Sequence, residues 1–159
     1  KSSKQWRSQA LMTRAGVCAD PRTLYLFSEN DVDHHSGKQQ PDTQAVIRPC
    51  KNAWGVRTCY GPNRGYRDHS LKSNCAKIEA DLQGAVREVL SGNYDALVFP
   101  SAGMGTGVAN LPREAPHTFK FLNDEIRRSK QALDSAALHH TTSSPSKRLA
   151  VGSPSPPSA

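Results

Sequence analysis

Several scarcities limit what this sequence can do. Aromatic residues are 6% of its 159 positions, too few to provide the row of stacking platforms on which single-stranded nucleic acid is laid. No apolar stretch approaches the roughly 20 residues that cross a bilayer, and the opening KSSKQWRSQA lacks the apolar segment of a secretory signal. The four cysteines, at 18, 50, 59 and 75, include no CxxC pair and no histidine at ligand spacing. Neither a zinc site nor a redox pair is therefore expected, and free thiols in a reducing compartment are. The chain reads as soluble and cytoplasmic. It opens on Lys1 rather than Met, as a fragment, a processed product or an internal start would, with Met12 a candidate start.

Excess charge is missing from the centre. Residues 1–22 hold five Lys/Arg against one Asp, residues 23–128 thirteen against twelve acids, and residues 129–159 three against one, so the net +7 is a property of the ends. A basic end can touch nucleic acid or an acidic surface without specificity, but a solvated terminus is the plainer reading. The organisation expected is a basic, poorly ordered lead-in over 1–22, an α/β domain over 23–130 and a Ser/Pro-rich disordered tail over 131–159.

The central feature that is present is YDALVFPSAGMGTGVANLPREAP, residues 94–116. Ala96 to Phe99 reads as a buried strand that breaks at Pro100 into a loop with glycine at 103, 105 and 107. Glycine lacks a Cβ, so backbone N–H groups can approach a ligand closely, which suits phosphate oxygens; a tight turn before a helix is the plainer reading. TLYLFS, from Thr23, reads as the first core strand and ends at Glu29-Asn30-Asp31. Ligands of open α/β sheets bind beyond such strand ends, which makes Asn30 a candidate contact, although Asn also simply forms turns.

Between these, VDHHSGKQQPDT is a polar loop. Its adjacent His34 and His35 lack a third ligand, so no metal is expected. TQAVIR, from Thr43, reads as a short strand or a helix opening, and NAWGVRT, from Asn52, as a further strand, with Trp54 either in the core or available to stack on a base. Arg64, Arg67 and Lys72 are loop cations that either meet phosphates or stay solvated. Ser73 or Asn74 caps a helix to about Ser91, with Ile78, Leu82, Val86 and Val89 or Leu90 on one stripe and Gly92-Asn93 as the stop. Pro116 opens a last helix, with Phe119, Leu122 and Ile126 on one face. No motif implies a cofactor. A Cys50 or Cys59 nucleophile with His69 as base lacks a recognised spacing.

Four blocks in this order carry a resemblance: LFSEN (26–30), TQAVIR (43–48), NAWGVRT (52–58) and FPSAGMGTGVANL (99–111). They resemble a family of small uncharacterised proteins found largely in bacteriophages and bacteria, in which a phenylalanine-glycine-aspartate-asparagine strand end, a glycine-glutamine-alanine-x-isoleucine-arginine block, an asparagine-alanine-x-glycine block and a proline-led glycine loop follow one another. Thr43 stands for that family's glycine and Arg57 for its proline. The last block is also similar to the phosphate-cradling loop of macrodomains. That resemblance implies a three-layer α/β/α sandwich with a mixed sheet, and a partner of the nucleotide type such as ADP-ribose or another NAD-derived nucleotide. It further implies a loop from Ser101 in which Gly103, Met104, Gly105, Thr106 and Gly107 wrap phosphate and ribose, with Asn30 and Gln44 beside them. Gly107 falls where one hydrolytic group has an aspartate, so binding is better supported than hydrolysis. For hydrolysis, the nearest candidate bases would be Glu29, Asp31 and Asp33. A phage origin implies a role in the host cytoplasm. The competing reading is a nucleic-acid-binding or interaction protein working through its basic ends.

Overall fold

The apolar run at Thr23 is the centre of a five-stranded sheet. The computed structural model describes residues 5–152, with side chains to residue 138. In chain order the elements are β1 (Trp6–Gln9), α1 (Arg14–Cys18), β2 (Thr23–Asn30), a 3₁₀ turn (Gln44–Ile47), β3 (Ala53–Gly61), β4 (Arg64–Gly65), a 3₁₀ turn (Asp68–Ser70), α2 (Leu71–Leu90), β5 (Ala96–Pro100), α3 (Leu111–Glu114) and α4 (Pro116–Gly152). The strand order is β1-β5-β2-β3-β4. All neighbours are parallel except the antiparallel β3–β4 pair, so the sheet is mixed.

Burial on both faces makes β2 continuously apolar, and its side chains alternate between two cores. Leu24 and Leu26 join Leu97, Phe99, Ile78, Leu82 and Leu122 under α2 and α4. Tyr25 and Phe27 join Val98, Val17 and Ile47 under α1 and the Gln44–Ile47 turn. The result is a three-layer α/β/α sandwich with one thick and one thin helical layer. Trp54 belongs to the thick side: its indole donates to the Asp81 carbonyl at 2.8 Å, and Gly84 leaves room for its ring. Among the described residues no helix is long and apolar enough to cross a membrane.

Three expectations are corrected here. The lead-in is built into the sheet: Trp6 to Gln9 pair with Leu97 to Pro100, and α1 follows, its N-terminus capped by Thr13. The tail expected from 131 is helical through 152, and Leu133 is fully buried. The two ends also hold each other. The Trp6 indole donates to Asp134 at 2.9 Å, and the Lys130 ammonium lies 4.6 Å from the Trp6 ring centre. Residues 1–4 and 153–159, also expected to be disordered, lie outside the described residues. Finally, Cys18 and Cys50 form a disulfide that fastens α1 to the chain just beyond the first 3₁₀ turn, so only Cys59 and Cys75 are free.

The start of α4 is fixed from a distance. The Asp68 carboxylate accepts from the His117 and Thr118 N–H groups and from the Thr118 hydroxyl at 2.9–3.0 Å, which are otherwise unsatisfied first-turn donors. Partial burial works against its ionised form, but these hydrogen bonds outweigh that and hold the carboxyl below its ordinary value. A depressed carboxyl contributes stability above its unfolded value of about 3.9 and loses it as pH falls through the folded value. Asp68→Ala is expected to cost about 1 kcal/mol at neutral pH, a difference from wild type that shrinks in urea titrations below about pH 4.

Candidate functional site

The connection after β2 crosses to the thin layer, while the connection after β5 leads to α3 and α4 on the thick layer. Neighbouring strands whose chains leave in opposite directions open a crevice at their C-terminal ends, the place where open α/β sheets bind ligands. Here the crevice is a cavity of about 190 Å³.

Its floor and one wall come from β2 and the first 3₁₀ turn. Thr43 caps that turn by accepting from the Ala45 N–H. Gln44 then spans the crevice: its amide oxygen accepts from the Ser28 N–H and its amide nitrogen donates to the Gly103 carbonyl, each at 2.8 Å. Both ends of that amide are therefore spent on fixing the glycine loop against β2. Behind it, Glu29 and Arg48 form a buried ion pair, their side chains 1% and 4% exposed. Arg48 grips both carboxylate oxygens and also donates to the Lys38 carbonyl at 2.7 Å. Gly55 makes this possible, because a Cβ there would lie 2.8 Å from that of Glu29.

The opposite wall is the glycine loop. Gly103 and Gly105 have φ of +85° and +78°, a region costly for any residue with a Cβ. A Cβ on Gly105 would also stand 2.6 Å from Leu111 Cδ1, whereas one on Gly107 would meet nothing within 4 Å. The loop is pinned from below by the buried side chains of Met104, Ala109 and Leu111 and by a Leu111 N–H bond to the Gly105 carbonyl at 2.8 Å. Gly105 to Ala109 line the cavity. Among the described residues, nothing accepts from the N–H groups of these five successive positions.

Of the ligand residues expected from sequence, Asn30, Gln44, Gly105, Thr106 and Gly107 meet around this cavity. Ser101, Gly103 and Met104 do not line it. Ser101 is exposed and donates its N–H to Gln9, Gly103 accepts from Gln44, and the Met104 side chain is in the core because Gly103 and Gly105 turn it inward. Asn30 is buried and occupied with Asp33, accepting from its N–H at 2.8 Å and donating to its carboxylate.

None of the three candidate bases is free. Glu29 is neutralised by Arg48. Asp31 accepts from the Tyr66 hydroxyl at 2.6 Å and the Lys77 ammonium at 2.8 Å, while Asp33 is tied to Asn30. Burial, reinforced by Asp31, pushes the Tyr66 phenol upward. The thiol reading fails as well: Cys50 is in the disulfide, and burial pushes the Cys59 thiol up, away from the reactive thiolate.

Sequence reasoning missed Asp42, Thr43 and Gln40, which line the cavity from the connection after β2, and Val108, which is 61% exposed at its rim. Asp42 has a signal only in retrospect, in its position two residues before Gln44. Elsewhere, the His34 and His35 rings lie against each other, tilted by 40° with centres 3.9 Å apart, and no third metal-ligating group joins them among the described residues. Burial, then its neighbour His35, holds the His34 imidazole below its ordinary value. Two cations of the basic lead-in are engaged, Arg7 with Asp20 and Tyr25, and Arg22 with Asp95.

No curated protein and no solved structure matches the chain. The model of one family matches residues 7–125, a span from β1 into α4 that contains every residue lining the cavity. The chain belongs to this family, DUF7831, a family of unknown function.

Proposed function

We propose that this protein binds a phosphate-bearing nucleotide at the glycine loop. The observation that supports this reading is the run of five N–H groups, Gly105 to Ala109, without acceptors among the described residues and beside a cavity at the crevice of the sheet. Successive backbone N–H groups form a concavity of partial positive charge that takes phosphate oxygens. At about 190 Å³ the cavity is smaller than the roughly 300–1,000 Å³ of sites that enclose a whole ligand. A phosphate with part of its sugar enters, and the rest of the molecule stays outside. ADP-ribose, the ligand implied by the macrodomain resemblance, is the first to titrate, and a role in the host of a phage is the setting that the family resemblance suggests. Binding rather than turnover is the reading, since each of the three acids expected as a base already has a partner. Of the lead-in cations on which the nucleic-acid reading rests, Arg7 and Arg22 are engaged within the domain.

Gly107→Val tests the site without touching the fold, since that position has open space around it and no positive φ. The variant is expected to melt with wild type and to bind ADP-ribose about tenfold or more weakly, a loss of about 1.4 kcal/mol or more by calorimetry. Wild-type protein that gives neither heat nor a thermal shift with ADP-ribose, NAD or cyclic nucleotides would sink the reading.

A further inference from the structure

We propose that the cavity selects a phosphate carrying one negative charge, as in a cyclic nucleotide, over the dianionic terminal phosphate of a mononucleotide, and that Asp42 sets this preference. The inference rests on the reading of the glycine loop as a phosphate site. No lysine, arginine or histidine is among the residues lining the cavity. The attraction for an anion therefore comes from backbone N–H groups, with no full positive charge at the lining to offset the larger desolvation cost of a dianion.

Two carboxylates do line the cavity, and they differ. Glu29 is neutralised by Arg48. Asp42 is exposed, holds a φ of +64° and has no hydrogen bond or ion pair among the described residues, so its charge is uncompensated at the wall opposite the loop. A second negative charge on the ligand finds no counter-ion there and meets Asp42 through a partly desolvated space, where charges interact more strongly than in water. The dimensions agree, because the cyclic ribose phosphate is a compact end that enters while the base lies outside, over the exposed Val108 beside Pro62.

The experiment is calorimetry on the full chain with cyclic AMP and AMP. At about pH 8 cyclic AMP is expected to bind at least about tenfold more tightly. A phosphomonoester takes up its second proton near pH 6, so AMP affinity rises as the buffer is taken to about pH 5.5 while that of cyclic AMP stays level. The ionisable groups lining the cavity are Glu29, Asp42 and the Cys59 thiol. Burial pushes the Cys59 thiol above its ordinary value, away from that window. Asp42→Asn, on an exposed side chain, is expected to melt with wild type and to improve AMP binding several-fold and cyclic AMP binding by less, because the repulsion removed scales with the charge on the ligand, so the preference narrows. AMP binding as tightly as cyclic AMP at about pH 8, or a preference unchanged in Asp42→Asn, overturns the assignment while leaving the phosphate site standing. If ADP-ribose, NAD, cyclic AMP and AMP all fail to bind, both readings fall.

Discussion

Replacing Arg48 with methionine is expected to remove about 3–5 kcal/mol of folding stability. Among the described residues the guanidinium is the sole ion-pair partner of Glu29, whose side chain is 1% exposed, and it also satisfies the Lys38 carbonyl. Methionine fills much of the space, so the loss is electrostatic. It leaves a buried carboxylate without a counter-charge, held only by the Asn30 N–H at 2.9 Å, and desolvating such a charge costs far more than a well-made pair returns. In a domain of about 150 residues each kcal/mol moves the melting temperature by about 2–4 °C, so a fall of about 6–20 °C is expected in calorimetric melting. Replacing both partners, Glu29→Leu with Arg48→Met, should recover most of it, because no charge is then stranded. A double variant as unstable as the single one would show that packing, not charge burial, is what Arg48 supplies.

Gly105→Val is expected to be the second most damaging change, and for a different reason. The position has a φ of +78°, and the added Cβ would lie 2.6 Å from Leu111 Cδ1 and 3.0 Å from its Cγ. A left-handed conformation costs an L-residue about 1–2 kcal/mol, and overfilling a close-packed core costs about 1–3 kcal/mol more. Urea denaturation should register about 2–5 kcal/mol. Ligand binding should weaken with it, because Leu111 and the loop shift together. The contrast with Gly107→Val is the informative result: two glycines two residues apart, one needed by the fold and the other open to the solvent. Equal destabilisation by both would mean that the loop is held differently.

The parts of this structure that were legible in the sequence are those with a local period. β2 and β5 are apolar runs ended by polar residues or proline, and α2 carries its stripe from Ile78 to Val89 with Gly92 behind it. Short elements paid for by distant partners were not legible. WRSQ has one large apolar residue and becomes a strand only because β5, some ninety residues on, offers it an edge. The extension of α4 did have a signal, since Leu133 continues the spacing of Leu122, Ile126 and Ser129, but the Ser and Pro content farther on outweighed it. At the site, the strand end and glycine loop announced a crevice. Side-chain roles were unreadable, because Asn30, Asp31 and Gln44 look like ligand contacts in sequence and are occupied by partners up to 59 residues away. Asp42 was passed over because an acid in a polar loop has no periodicity to mark it.

The pairing of the first strand with the last sets an order of assembly. β2 and β3 are close in the chain and their side-by-side contact closes a short loop, but the edge at β1 cannot form until the chain through Pro100 is present and β5 has docked on β2. Such distant pairings slow folding, because loop-closure entropy must be met before the contact rewards it. β1 should therefore be the last strand to acquire protected amides in pulse-labelled hydrogen exchange. During synthesis, Trp6 has no seat until Phe99 has emerged, and the clasp with Lys130 and Asp134 closes only after that.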